Sequence, residues 1–442
     1  MQSTRTDRTD DTHWKRIMKE TKTTLNAAGH PLPQHWLAVI GAIWAGQAVS
    51  IVTSYAASFA VVWYITESTS SALLLSLASI CAYLPIGLIS PFGGVLADRH
   101  SRKAIMIISD GVVGLISLAL GFAILAGSVN IPLLLLFTIA RATGQAFHSP
   151  AMMATMPHLV PEKHLVRINT LDQTLASAAS IGAPVFGIFL YTTLGFHAVM
   201  FLDFIGAAAA VAGLALAKIP VTHDETTKNQ HVIANLMDGW HAFSSKRGLV
   251  ILLLGITLAM VVFAPLGALY PLMTLEHFGG DGYMASIAEA TWGIGMLVGS
   301  GILMAWGGGK KLVRLIIASC VIVGATTATC GFLPSSGFWA FAVLNAIMAM
   351  ACAWLNGPCL TLVQKNIPEE KLGRAMGFIG ALMGLTSPIG IAIGGPLADV
   401  IGIAPFFIVD GVTCMVIGAL LYLPRSVRAL DAPPAKQSKL PE

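Results

Sequence analysis

Gly94-Val95-Leu96-Ala97-Asp98-Arg99-His100-Ser101-Arg102-Lys103 is a short charged stretch between two long apolar runs. An Asp, two Arg and a Lys within six residues cannot lie in hydrocarbon, so the segment reads as a polar loop at a membrane surface. Its surplus of positive charge puts it on the cytoplasmic side, and the rest of the chain is oriented from it.

Working outward, 55% of the 442 residues are hydrophobic, 11% are charged, and the mean hydropathy is +0.75. A soluble chain of this length needs far more charged surface, so an all-α, multi-span membrane protein is expected. The six cysteines, Cys81, Cys320, Cys330, Cys352, Cys359 and Cys414, sit in apolar runs without ligand spacing, which predicts neither a disulfide scaffold nor a metal site. The basic residues behind the net charge of +4 are scattered over many loops and form no stripe, so no nucleic-acid partner is expected. No Gly-rich, lysine-terminated nucleotide loop is present, which excludes ATP as a direct energy source. Neither a catalytic constellation nor a cofactor is expected.

Apolar runs long enough to cross a bilayer fall at about 36–64, 70–97, 104–127, 131–155, 169–191, 195–217, 248–273, 282–305, 312–332, 337–362, 373–397 and 402–424. The expected fold is therefore twelve transmembrane helices with both termini cytoplasmic. Charge supports the count: Arg99, Arg102, Lys103, Lys163, Arg167, Lys310, Lys311, Arg314, Lys371 and Arg374 fall in loops of one side, and the opposite loops contain no Lys or Arg. The chain divides into a cytoplasmic N-terminal segment (1–35), a six-helix half (36–219), a cytoplasmic linker (220–247), a second six-helix half (248–427) and a cytoplasmic tail (428–442). In the linker, Ile233, Leu236, Met237, Trp240 and Phe243 recur at helical spacing and predict an amphipathic surface helix over 232–243.

An internal repeat supports the two pseudo-symmetric halves. Pro161-Glu162-Lys163-His164-Leu165-Val166-Arg167 matches Pro368-Glu369-Glu370-Lys371-Leu372-Gly373-Arg374 without a gap, an offset of 207. The same offset carries Gly94 onto Gly301, Lys103 onto Lys310, Gly187 onto Gly394, Gly195 onto Gly402 and Asp203 onto Asp410. Parallel duplication with charged gating loops favours alternating access, in which two halves rock around a central cavity.

Several residues inside the spans could carry transport. Arg141 and Glu289 are the strongest intramembrane charges, and a carboxylate facing the cavity can exchange a proton; both are candidates for proton coupling, each with a structural ion pair as its alternative. Gly94, Asp98, Arg99, Arg102 and Lys103 are gating candidates. Gln47, Ser50 and Ser54 share a helical face and, with Trp292 and Asn356, could line the cavity; helix-packing polarity is the competing reading. Gly182, Pro184 and Gly187 in span 5, and Pro388, Gly390 and Gly394 in span 11, predict close helix packing at the interface between halves. Asp203 and Asp410 occupy repeat-equivalent places, which predicts a shared structural role. Asp110 and His148 are read as hydrogen-bonded packing residues.

The spacing G-x-x-x-D-R-x-x-R-K of the charged loop resembles the loop between helices 2 and 3 of the major facilitator superfamily, with Ser101 in place of that family's usual second Gly. The resemblance spans about 35–428. More narrowly, Trp44-Ala45-Gly46-Gln47-Ala48-Val49-Ser50, the long second span and the surroundings of Glu289 resemble the macrolide-efflux branch of bacterial drug:proton antiporters. It implies proton uptake coupled to expulsion of an amphipathic compound across the inner membrane by a monomer embedded in lipid, the proton serving as coupling ion. Siderophore exporters and lysophospholipid flippases have similar sequences and remain the alternatives.

Overall fold

The computed structural model describes residues 36–217, 237, 240, 243, 246–309, 311–367 and 369–431. The expected segment 1–35, most of the linker and the tail beyond 431 lie outside the described residues, as do the side chains of Asp98 and Arg99.

Twelve helices of nineteen residues or more are described: α1 (Trp36–Thr69), α2 (Ala72–Arg99), α3 (Arg102–Leu125), α4 (Ile131–Leu159), α5 (Glu162–Leu194), α6 (Phe196–Leu216), α7 (Arg247–Leu272), α8 (Gly282–Trp306), α9 (Leu312–Phe332), α10 (Phe338–Asn366), α11 (Glu369–Ile401) and α12 (Ile403–Leu421). Eleven of the described helices are long and apolar enough to cross a membrane. The remaining one, α4, is 29 residues long, and Arg141, Gln145 and His148 interrupt its apolar run.

Local chemistry sets the helix starts. Ser71, Ser101, Asn130 and Asp281 each accept a hydrogen bond from a backbone N–H three residues on, capping α2, α3, α4 and α8. The repeated Pro-Glu pairs turn out to be helix starts rather than loops, because α5 begins at Glu162 and α11 at Glu369. Proline tolerates a first turn and an acid there complements the helix dipole. Gly195 and Gly402, with φ of 89° and 86°, each join two helices through a single residue, a backbone conformation only glycine adopts without strain.

The packing partners repeat. In the first set α1 packs on α5 and α6, α3 on α4 and α6, and α2 on α4; six helices later α7 packs on α11 and α12, α9 on α10 and α12, and α8 on α10. The two sets meet at α2–α11 and α5–α8, pairs that exchange under the same shift. Small residues make these contacts, since lipid tails give no hydrophobic drive for helices to associate. A Cβ on Gly206 would collide with Thr53, and one on Gly411 with the backbone of Gly324 and Ala328.

The offset of 207 does not hold throughout. Gly114 and Gly121 of α3 lie against Ala207 and Phe201 of α6, whereas Gly324 and Gly331 of α9 lie against Gly411 and Ile408 of α12. Matching those roles requires an offset of 210 in α9, because residues 307–311 take the place of the two-residue turn 100–101. Lys103 therefore has Val313, not Lys310, as its structural counterpart.

One expected boundary shifts. The expected tail from 428 begins inside folded structure, a short helix Arg425–Arg428 and a 3-10 turn Ala429–Asp431, and Asp431 accepts a hydrogen bond from Val313 N at 2.9 Å. Of the expected surface helix, Met237, Trp240 and Phe243 are described and helical; the rings of Trp240 and Phe243 lie tilted against Phe378 of α11, with centroids 5.7 and 6.0 Å away, and Phe243 is fully buried.

Candidate transport site

One end of the bundle carries Arg102, Lys103, Lys246, Arg247, Lys311, Arg314 and Arg425, and the opposite end, among the described residues, has no Lys or Arg. At the basic end the charged loop fastens its own half. Arg102 donates from Nη1 to Ala154 O at 2.8 Å, and Lys103 donates to Ala215 O and Ala217 O at 2.9 and 2.7 Å, where the α6 carbonyls end. Cations at a helix C-terminus satisfy its free carbonyls and its dipole. Gly94, a gating candidate, has open space beside it; Gly93 is the tight position, backing onto Ala146 O and Phe147 of α4.

Inside the first six helices, the polar side chains form two networks. Gln47 Nε2 donates to Asp110 Oδ2 at 3.0 Å, and His148 Nε2 lies 3.4 Å from the same oxygen. Deeper in the bundle, Arg141 forms a buried ion pair with Asp203. Ser54 Oγ donates to Asp203 Oδ1 at 3.0 Å, Ser117 Oγ to Oδ2 at 2.5 Å, and Arg141 Nη2 to Ser54 O at 3.2 Å. The guanidinium also stands over the Phe137 ring, 5.3 Å from its centroid. An unpaired Arg in this place would be prohibitive; four helices converge to satisfy it. Arg141 is thus brought to Asp203 and not to Glu289, and Gln47 and Ser54 are turned into the packing of α1 against its neighbours. Ser50 has no side-chain hydrogen bond among the described residues.

Glu289 of α8 is different. No hydrogen bond or ion pair engages its carboxylate among the described residues, and Tyr83 of α2 lies within electrostatic range of both Glu289 and Tyr55 of α1. Tyr83 and Tyr55 are exposed between helices, at 54% and 43%. One turn along from Glu289, Trp292 stacks on Phe263 at 5.8 Å and tilts against Tyr270 at 6.3 Å. Asn345, fully buried on α10, donates to Ala288 O at 2.6 Å and to Thr291 Oγ1 at 3.1 Å, fixing the segment of α8 that carries Glu289. The sequence reading named Asn356, which is exposed and makes no side-chain hydrogen bond among the described residues; Asn345 was missed because one Asn in an apolar run announces no direction. A lone carboxylate within electrostatic range of a tyrosine from each set of helices, Tyr83 and Tyr270, can hold a proton or a cationic group. Among the described residues no group of His, Cys, Asp and Glu could hold a metal ion, and all six cysteines are free thiols.

The model of the Major Facilitator Superfamily matches residues 43–325 and 270–441. The chain belongs to that superfamily. Macrolide efflux protein A of Streptococcus pyogenes is 34% identical over 398 residues, which cover 90% of this chain and 98% of that protein. The multidrug efflux pump Tap of Mycobacterium tuberculosis is 22% identical over 410 residues, 88% of this chain and 92% of that one. In fold, the nucleoside transporter NupG superposes with a TM-score of 0.66 at 14% identity, covering 88% of this chain and 98% of that one. A POT family transporter crystallised with a thioalcohol-conjugated peptide superposes with a TM-score of 0.69 at 14% identity, covering 89% of this chain and 96% of that one. This is a multi-pass secondary transporter of small molecules related to macrolide efflux proteins, and not an enzyme.

In this superfamily member the contacts between the two sets of helices gather at the end opposite the basic loops. Asp399, near the end of α11, accepts hydrogen bonds from Ala72 N at 2.7 Å, Leu73 N at 3.0 Å and Ser71 Oγ at 3.3 Å, so it caps α2 from across the junction. Gly395 backs onto Ser76, Gly282 onto Ile188 and Trp63, and Thr192 Oγ1 lies 2.9 Å from Tyr283 Oη. The glycines named from sequence do something else. Gly187 packs on Ala56 of α1, Gly390 on Val261 and Gly394 on Pro265 of α7, all within one set, and Gly182 meets nothing. Each long helix has two packed faces, and glycine spacing alone does not say which face meets the other half. Pro184 and Pro388 are buried, and α5 and α11 continue through them.

Proposed function

We propose that this protein exports an amphipathic small molecule of macrolide-like or other drug character across the bacterial inner membrane, in exchange for protons, by alternating access of two six-helix halves. In this reading the basic end faces the cytoplasm, and the conformation described, whose contacts between the two sets gather at the other end, is open inward and closed outward. The observation that carries the reading is Glu289: a carboxylate unpaired among the described residues, within electrostatic range of Tyr83 of α2 and Tyr270 of α7 and so between the two sets of helices. When it is ionised it attracts an amphipathic cation whose apolar body lies on the aromatic rings; when protonated it releases that cation. Competition for one carboxylate is the simplest exchange of proton for substrate. Asp98 and Arg99 belong to the cytoplasmic gate in this reading, and Arg141 keeps the first half rigid through Asp203. The relationship to Macrolide efflux protein A supports the direction and the substrate class.

Proteoliposomes with an imposed proton gradient test it. The parent should move protons when a macrolide or a lipophilic cation is added, and Glu289→Gln should abolish that movement at matched protein level. Substrate flux without proton movement would reject antiport. Movement of siderophore or lysophospholipid alone would transfer the assignment to the corresponding exporter or flippase.

A further inference from the structure

Asp203 and Asp410 occupy the same place in the repeat, on α6 and α12, yet only one of them has a cation. The offset of 207 carries Arg141 onto Met348, and the offset of 210 that governs α9 carries Ser117 onto Thr327. The cluster Ser117–Arg141–Asp203 of the first half is therefore Thr327–Met348–Asp410 in the second. Thr327 Oγ1 donates to Val323 O at 2.8 Å and lies 3.0 Å from Met348 Sδ, and Tyr270 Oη donates to the same sulfur at 3.7 Å, so both hydroxyls are engaged elsewhere than on Asp410. Asp410 is 5% exposed, and its Oδ2 has no hydrogen-bond partner.

The groups around Asp410 are few. Tyr270 of α7 lies within its electrostatic range, and Tyr270 in turn lies within range of Cys330 of α9, Cys352 of α10 and the acid Glu289 of α8. Cys414 lies one turn along α12. On the other packed elements, Asp399 of α11 is turned to α2, Glu276 lies within range of Asp399, and His277 bonds Leu333 O at 2.7 Å. No Lys, Arg or His pairs with Asp410 among the described residues. An ionised carboxylate left alone in such a place is the costliest arrangement a protein interior offers, and neutralisation removes the cost. An alkali or alkaline-earth ion would need several oxygen ligands, and among the described residues no group of His, Cys, Asp and Glu could hold a metal ion.

We propose that Asp410 is a proton-binding site of the second half, holding its proton in the outward-closed conformation described here. The site deepens the proton-antiport reading and rests on it only for a part in coupling; occupancy by a proton follows from the local geometry. The second half thus binds a proton where the first half has built in a guanidinium.

Infrared spectra of the purified full-length protein, taken as parent-minus-variant differences in H2O and D2O, test this. A deuterium-sensitive carboxylic-acid band should be present in the parent and in Glu289→Gln, lost in Asp410→Asn and displaced in Asp410→Glu. It should also be lost in Met348→Arg, where a guanidinium at the place of Arg141 lets Asp410 ionise. A folded Asp410→Asn protein with the full set of parental bands overturns the proposal, as does a Met348→Arg protein that keeps the band. If neither variant folds, an Asp410→Glu spectrum identical to the parent's overturns it equally. None of these readings needs substrate flux, so a protein that moves no protons with drug would lose the antiport reading while the band still decides this one.

Discussion

Arg141 shows what a single residue in a membrane demands. Its charge in the middle of α4 is legible from sequence as something that must be satisfied, but its partner is 62 residues away on α6, and no spacing rule connects them. Asp203 in turn was visible through the repeat, which suggested that it shares a role with Asp410. The repeat equates positions, whereas surroundings depend on what four helices bring, and Met348 in place of Arg141 gives the two acids different neighbours. Asp203→Asn leaves a buried guanidinium without its carboxylate, a change of about 3–5 kcal/mol when a buried pair loses one partner. The variant should unfold at clearly lower temperature in detergent. Adding Arg141→Met should recover much of the loss, since the double variant reproduces the neutral arrangement of the second half. If the double variant is no more stable than Asp203→Asn, the pair is not the source of the destabilisation.

Among elements, helix identity and order were the most legible features, because nineteen or more apolar residues admit no other backbone in lipid. Helix direction was less so. The face of α1 bearing Gln47 and Ser54 reads equally as cavity lining and as packing polarity, and it is the hydrogen bonds to Asp110 and Asp203 that decide for packing. Asp399 passed unnoticed in the sequence, lying at the end of an apolar run with no basic neighbour, yet it caps the start of α2 through three hydrogen bonds from across the junction. An anion at a helix N-terminus satisfies free N–H groups and complements the dipole. Asp399→Asn removes the charge at nearly constant shape, and the site is solvent-exposed, so the effect on folding should be small. On the proposed alternating-access cycle the effect on conformation should be larger, because the cap joins α2 to α11 across the junction. Spin labels at the outer ends of α2 and α11 should report a several-fold rise in the long-distance population. An unchanged distance distribution would mean that glycine packing at Gly395 and Gly282 holds the closure without the cap.

At the scale of the whole molecule, the offset of 207 matches the starts of α5 and α6 to those of α11 and α12, whereas α3 and α9 start 210 residues apart, a three-residue slip that the sequence reading missed. Glycines in the turn 307–309, all with positive φ, absorb the extra length, and a loop of this kind leaves no mark on the hydrophobic pattern. The repeated pairing that results has a mechanical consequence. The α2–α11 and α5–α8 contacts exchange under the repeat, so both must part for the outer end to open, and fixing one should arrest the transporter. Ser71 Oγ and Asp399 Oδ2 are 3.3 Å apart, which brings the two side chains within reach of a short thiol cross-linker once both are cysteine and the six native cysteines are replaced. Cross-linking Ser71→Cys to Asp399→Cys should bring substrate flux in proteoliposomes down to background, and cleaving the cross-link should restore it. Each single variant treated alike should retain its flux. Full flux through the cross-linked protein would exclude separation of α2 from α11 as part of the cycle, and with it a rocking motion of the two halves as rigid bodies.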